Sequence, residues 1–461
     1  MWARADVVGG RSVLWGRQSY RFSAQDFRAN ADDGHGIPWP VDYEEIAPWY
    51  GYVEKFIGVN GRNEGLPQLP DGELQKPMPW HALEKTIESR LKKKAPDVTL
   101  TNARTAILTE DLPGRSACHY CGPCPRGCST GSYFSSLSST LPAAKATGNL
   151  TIRANSLVEK LEYDPETGKI AKVHVIDTVS GERQTYSARI FFLCASTVGS
   201  TQILMNSTSE RFPNGLANSS GVLGHYMMDH TIGESGMGLF LDNMDSYFHG
   251  NRPTGLYIPR FRNVDGQDPD ADFVRGYGFQ TYTLRMDWST GFNAKGFGAS
   301  LKEDLRKPGP WIFVLSGFTE CLPYEDNRMY LSNNKVDRFG IPQVAFDFEF
   351  KDNEYKLRED ARKQADRLLK AAGAVVPVPA GRKNMSMPGE SIHEMGTARM
   401  GDDPKQAVLN KYNQAHDVPN LFVTDGSFMT SASCVNPSLT YMAFTARACE
   451  YAVKQMAEGH I

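Results

Sequence analysis

Apolar and polar positions change period several times along this chain, and each change marks an element. Residues 41–57 carry apolar side chains near a 3.6-residue spacing broken at Pro48, which predicts two short helical pieces or one restarted at the proline. Residues 58–79 are crowded with Gly, Pro and Asn and predict a loop, and a helix follows at 81–94. From 150 to 187 the pattern alternates around the turn Asp164-Pro165-Glu166-Thr167-Gly168-Lys169, as a small antiparallel sheet requires. At 188–207 a continuous apolar run gives way to a small-residue turn and then helical spacing, the mark of a buried parallel strand feeding a helix. Residues 225–350 hold strand candidates at 235–241, 273–284, 311–320, 328–332 and 343–350, so this stretch is mostly β. An amphipathic helix at 353–372 stops before Gly373 and a loop runs through 390. A buried strand at 420–424 then exits at Asp425-Gly426-Ser427, and a last helix spans 437–456.

Strand–turn–helix units near both ends thus enclose a β-rich middle. The fold class is α/β: a Rossmann-like nucleotide-binding domain with a mostly antiparallel β substrate domain. The boundaries read 1–224 for the first part of the nucleotide domain, 225–390 for the β domain and 391–461 for the returning part. At 461 residues there is room for this, with roughly 150 residues per domain as a guide.

Charge and hydropathy act by exclusion. The 50 basic and 53 acidic residues nearly cancel, and no basic stripe is interleaved with aromatics, so nothing points to nucleic acid. Lys92-Lys93-Lys94 reads as a solvated helix end. No window reaches the roughly 18 apolar residues of a membrane helix, so no direct span is expected. The start M-W-A-R-A-D-V-V-G-G-R-S has neither the charged region nor the apolar stretch of a signal peptide, and it leaves the compartment unread.

Cys118, Cys121, Cys124 and Cys128 stand inside eleven residues, C-x2-C-x2-C-x3-C, and make up half of the chain's eight cysteines. That is iron–sulfur spacing, for a four-iron cluster or a three-iron one using three of the four thiolates. Zinc would want a second pair after a longer insert. Disulfides or free thiols are the remaining alternative, although two bridges in so short a loop would be strained. Cys194, Cys321, Cys434 and Cys449 lie in apolar or helical settings and read as small buried hydrophobes.

A second constellation lies near the C-terminus: H-E-M-G-T-A-R-M-G at 393–401 and V-T-D-G-S-F-M-T-S-A-S-C-V-N-P-S-L-T at 423–440. With V-V-G-G-R-S-V-L-W-G at 7–16, these segments resemble the glucose–methanol–choline (GMC) family of flavin oxidoreductases across nearly the whole chain. The resemblance implies an FAD-binding Rossmann-like domain, His393 as catalytic base and Asn436 as its partner at the flavin. Its chemistry is coherent, because oxidising an alcohol needs a base for the hydroxyl proton and histidine titrates near working pH. Asn436 before Pro437 also reads as the N-cap and first residue of the last helix, whose positive end would stabilise a reduced flavin.

The resemblance further implies that Gly9, Gly10, Ser12 and Trp15 touch the FAD pyrophosphate and isoalloxazine. The same comparison sets Val158 beside the adenine and Asp425-Gly426 near the pyrophosphate and ribityl chain. Gly9 and Gly10 suit that place by sterics, since backbone without a Cβ can lie against a cofactor. Two departures stand out: the family's opening strand with G-x-G-x-x-G is absent, and Ala195-Ser196-Thr197 occupies a turn where most members carry Gly. The reading therefore expects an N-terminally truncated chain with an incomplete first βαβ unit and little bound flavin. Cys-rich segments resemble those of gluconate-, fructose- and glucose-dehydrogenase-type large subunits, in some of which residues matching Cys118, Cys124 and Cys128 hold a three-iron cluster. This implies a carbohydrate, sugar-acid, polyol or glycoside substrate, electrons passed through the cluster, a small subunit, a cytochrome acceptor and a periplasmic full-length protein. An O2-using sugar oxidase with structural cysteines, or a degenerate non-catalytic chain, stand as alternatives. Tyr282 and Trp311 could stack on a sugar or fill a core.

Overall fold

The structure, a computed structural model, describes residues 2, 4–246, 250–264, 266–286, 296–379 and 386–461; part of the loop expected through 390 lies outside them. After a 3₁₀ turn at Gly10–Val13 come α1 (Ala24–Asp33), α2 (Tyr43–Ile57), α3 (Ala82–Lys94), β1 (Thr101–Asn102) and α4 (Thr140–Ala146). The strands β2 (Ser156–Asp164), β3 (Lys169–Asp177) and β4 (Arg183–Tyr186) form an antiparallel sheet, followed by β5 (Phe191–Leu193) and α5 (Ser196–Asn206). The middle supplies β6 (Thr231–Phe240), β7 (Leu256–Ile258), β8 (Tyr277–Arg285), α6 (Gly298–Arg306), β9 (Trp311–Thr319), β10 (Arg328–Val336) and β11 (Pro342–Asp347). Then follow α7 (Asp352–Ala372), β12 (Val376–Pro379), β13 (Leu421–Val423) and α8 (Ser438–Ala457).

The large sheet runs β1-β7-β8-β9-β6-β12, antiparallel at every step. Leu357, Ala361, Ala365, Leu368 and Leu369 recur at helical spacing along α7 and bury one stripe against it, together with Leu83, Ile87 and Leu91 of α3. Trp311 fills this core, whereas Tyr282 on β8 is partly exposed. A second core gathers Tyr20, Phe22, Trp39, Tyr50, Phe428 and Phe444, where α2 lies on α8 and Tyr50 Oη bonds Thr440 Oγ1 at 2.8 Å. Within it β13 pairs in parallel with β5, as the continuous apolar runs led one to expect.

Two local expectations are corrected. Helix α2 passes through Pro48 without a break, because Asp42 caps its start through Glu45 N at 2.9 Å and its buried face, Ile46 to Ile57, is anchored at both ends. The strand β12, Val376–Pro379, falls where a loop was expected: its two prolines lie on the sheet's edge, the place where a missing N–H is tolerated.

Candidate active site

The segment that carries His393 is laced between two others. Met395 and Met228 exchange backbone hydrogen bonds of 2.9 and 3.0 Å, while Gly396, Ala398 and Met400 donate to Gly426, Ser427 and Phe428 at 3.0, 2.9 and 2.8 Å. Two glycines make the approach possible. A Cβ on Gly396, which has φ +78°, would lie 2.1 Å from Tyr226 O, and one on Gly426 would lie 2.5 Å from Glu394 O. Asp229 secures the loop before His393 by accepting from His393 N at 3.1 Å, Gly389 N at 2.9 Å, His230 N at 3.0 Å and the Ser391 hydroxyl.

His393 and Asn436 do meet. Asn436 Nδ2 lies 3.2 Å from His393 Nε2, and Asn436 Oδ1 accepts from Gln280 Nε2 at 2.5 Å. The other imidazole nitrogen, His393 Nδ1, lies 2.9 Å from His230 Nδ1, with the two rings perpendicular at 5.0 Å, and Phe318 packs against both. Burial holds both imidazoles neutral: it pushes His230 down to about 4 and His393 well below the usual histidine range, with His230 and the Arg11 cation adding to the latter. Burial likewise pushes the Asp229 carboxyl up to about 7, against the pull of its hydrogen-bond donors.

Asn436 is not the helix cap. Pro437 occupies that position with no side-chain cap, and the carboxamide turns to Gln280 and His393. Asp425 is buried at the turn after β13. Its carboxylate accepts from Ser200 Oγ at 2.5 Å and from Ser427 Oγ and N at 2.7 and 3.1 Å, tying α5 to the turn after β13. Val158 sits in the antiparallel sheet opposite Val175, half-buried against the first core.

The segment Gly9–Trp15 joins the site through Arg11, which forks onto the buried Glu394 carboxylate, with Nη2 2.7 Å from Oε1. Gly9 takes φ +97°, Gly10 takes φ +52° with open space where a Cβ would stand, and Ser12 Oγ closes the turn onto Gly9 O at 2.6 Å. A flavin fits this face. Val7, Val8 and Leu14 leave apolar surface exposed, Ile392 exposes more beside His393, and Trp15 Nε1 is buried with no partner among the described residues. At the second departure, Ser196 is held at φ +67°, the left-handed backbone that makes glycine the usual choice in such a turn.

The four clustered cysteines are not drawn into a ligand set. Among the described residues no group of three or more His, Cys, Asp or Glu side chains is placed to hold a metal ion. Cys121 is exposed and bridges backbone to Asn251, Cys124 opens a 3₁₀ turn, and Cys128 turns its sulfur to Thr130 Oγ1 at 3.3 Å and Tyr133 N at 3.5 Å. Arg17 links the loop to the Gly9–Trp15 segment, since its cation senses Cys124 and Cys128 and packs over Trp15 and Tyr133.

Comparison with known proteins turns this geometry into a family assignment. The GMC oxidoreductase models match residues 1–232 and 323–445. The chain belongs to the GMC oxidoreductase family. Among GMC relatives it is 30% identical to 2-methyl-1,2-propanediol dehydrogenase of Mycolicibacterium austroafricanum, covering 98% of this chain and 81% of that one. It is 25% identical to the fructose dehydrogenase large subunit of Gluconobacter japonicus, over 98% and 81% of the two chains. In fold it resembles the formate oxidase of Aspergillus oryzae, with TM-score 0.62 and 15% identity over 99% of this chain and 85% of that one. As a GMC member it is an FAD-dependent oxidoreductase.

Three site residues escaped the sequence. His230 and Gln280 carry no motif of their own and reach the pair from β-rich residues more than 150 positions away. Glu394 stood inside the recognised H-E-M-G-T segment, but its ion pair with Arg11 joins segments 383 residues apart.

Proposed function

We propose that this chain oxidises a CH–OH group of a polyol or carbohydrate, with His393 as the base and Asn436 as the hydrogen-bond donor to the reacting oxygen. The contact between Asn436 Nδ2 and His393 Nε2 carries this reading. A hydroxyl entering beside it would meet an imidazole lone pair and an amide N–H at once, the two partners that an alcohol losing its proton requires. FAD, when bound, supplies the two-electron acceptor that receives the hydride. The alcohol gives up its O–H proton to His393 Nε2 and its C–H as hydride, leaving a carbonyl. Asn436 Nδ2 stabilises the oxygen as its charge grows, and Gln280 keeps that amide from turning over.

Gly9, Gly10, Ser12 and Trp15 would border the cofactor on the face that Arg11 and Ile392 share with His393. A polyol or sugar substrate agrees with the names of the diol and fructose dehydrogenases to which the chain is similar. Onward transfer through a cluster on Cys118, Cys124 and Cys128 is supported by their spacing and by the loop's nearness to Arg17, but the sulfurs are not assembled for it. The test is anaerobic reduction of the FAD-loaded protein against a panel of polyols and sugars: bleaching of the flavin absorbance by one of them is expected, and inertness to all would overturn the proposal.

A further inference from the structure

We propose that His230 is a positioning residue that fixes the tautomer of His393, so that a lone pair on Nε2, and no N–H, faces Asn436 and the reacting hydroxyl. The inference rests on His393 being the base.

Hydrogen-bond polarity along the chain of contacts forces the assignment. His230 Nε2 lies 2.8 Å from Ser433 O, and a carbonyl only accepts, so the proton of His230 is on Nε2. Neutral imidazole carries one N–H, which leaves a lone pair on His230 Nδ1. That nitrogen is 2.9 Å from His393 Nδ1, so His393 must donate there. Its Nε2 is then the unprotonated nitrogen, 3.2 Å from the Asn436 amide N–H that needs an acceptor. Reversing the chain would set the His230 Nε2 lone pair against the Ser433 carbonyl and the His393 N–H against the Asn436 N–H. Both contacts would repel in a buried site.

The far end of the relay is itself fixed. Ser433 takes φ +55°, and its N–H donates to Glu320 Oε1 at 3.0 Å, which aims the carbonyl. The near end is held by Asp229, which binds the backbone of both histidines. A backbone carbonyl, in place of a carboxylate, terminates the chain of ring contacts. The imidazole acceptor does what the buried partner of a catalytic histidine must do, which is to hold one protonation geometry.

The proposal is tested in FAD-loaded protein labelled with 15N-histidine, the His393 resonances being assigned by their loss in His393→Gln. The wild type is expected to show His393 protonated at Nδ1. His230→Phe keeps a ring but no acceptor; its His393 proton should move to Nε2, with kcat down about 10- to 1000-fold and KM nearly unchanged. His230→Asn places an amide oxygen where Nδ1 stood, and should keep the native tautomer and most of kcat. A wild-type His393 protonated at Nε2, or a native tautomer and rate in His230→Phe, would overturn the proposal. So would a His230→Asn variant as damaged as His230→Phe, a comparison that decides even if the phenylalanine variant folds poorly. An undiminished rate in His393→Gln would instead remove the base assignment itself.

Discussion

Asn436 engages both ends of its amide, Oδ1 to Gln280 and Nδ2 to His393, and that division of labour explains why a residue beside a helix start was free for chemistry. Gln280→Ala should therefore lower kcat by about 10-fold, the scale of one lost charge-stabilising hydrogen bond, while FAD content measured by absorbance stays unchanged. Because burial lowers the proton affinity of His393, the base stays neutral at pH values where an ordinary histidine has protonated. An acid limb of kcat/KM that reports His393 should accordingly fall below the usual histidine value of about 6.5. His393 was legible because a histidine in an H-x-x-G-T setting resembles a known base. Its partners His230 and Gln280 were not, since a hydrogen bond between residues 163 positions apart leaves no periodic trace. The same blindness made Asn436-Pro437 read as a cap, a local rule overridden by tertiary partners.

Among the elements, the turn after β13 holds the 393–400 segment in place. A methyl at Gly426 would press on Glu394 O at 2.5 Å, Thr197 Oγ1 at 2.6 Å and the Tyr441 hydroxyl at 2.8 Å. Gly426→Ala should thus displace the 393–400 segment and cost about 1–3 kcal/mol in denaturant unfolding, with activity falling further than stability alone explains. Leu369 on α7 makes a useful contrast: it is fully buried against the sheet, away from that turn. Leu369→Ala should cost about 2–5 kcal/mol and leave kcat of the folded fraction intact. Helix α7 was readable to within a residue because its apolar stripe and the left-handed Gly373 cap are local signals. β12 was not, because its prolines argue against a strand unless the sheet edge is known.

The molecule as a whole sets two cores side by side, and the His393–Asn436 pair lies where they meet. Core residues Met395 and Val435 flank the His393 and Asn436 backbone on one side, while β8 and β9 bring Gln280 and Phe318 from the other. The α/β class, the parallel strand pair and the antiparallel substrate sheet were all legible as periodicity. The meeting of the two cores was not, since it depends on contacts between distant segments. The Cys118–Cys128 loop has iron–sulfur spacing. Iron and acid-labile sulfide per chain, measured after anaerobic preparation, decide its part: one cluster per protein assigns the loop to electron transfer, and none leaves its thiols structural.

The most direct test of the central claim is rapid-mixing reduction of FAD-loaded His393→Gln beside the wild type, without oxygen and with a reducing alcohol substrate. The account predicts equal FAD content and a flavin reduction rate lowered about 100- to 10,000-fold in the variant. Equal rates in the two proteins would contradict it.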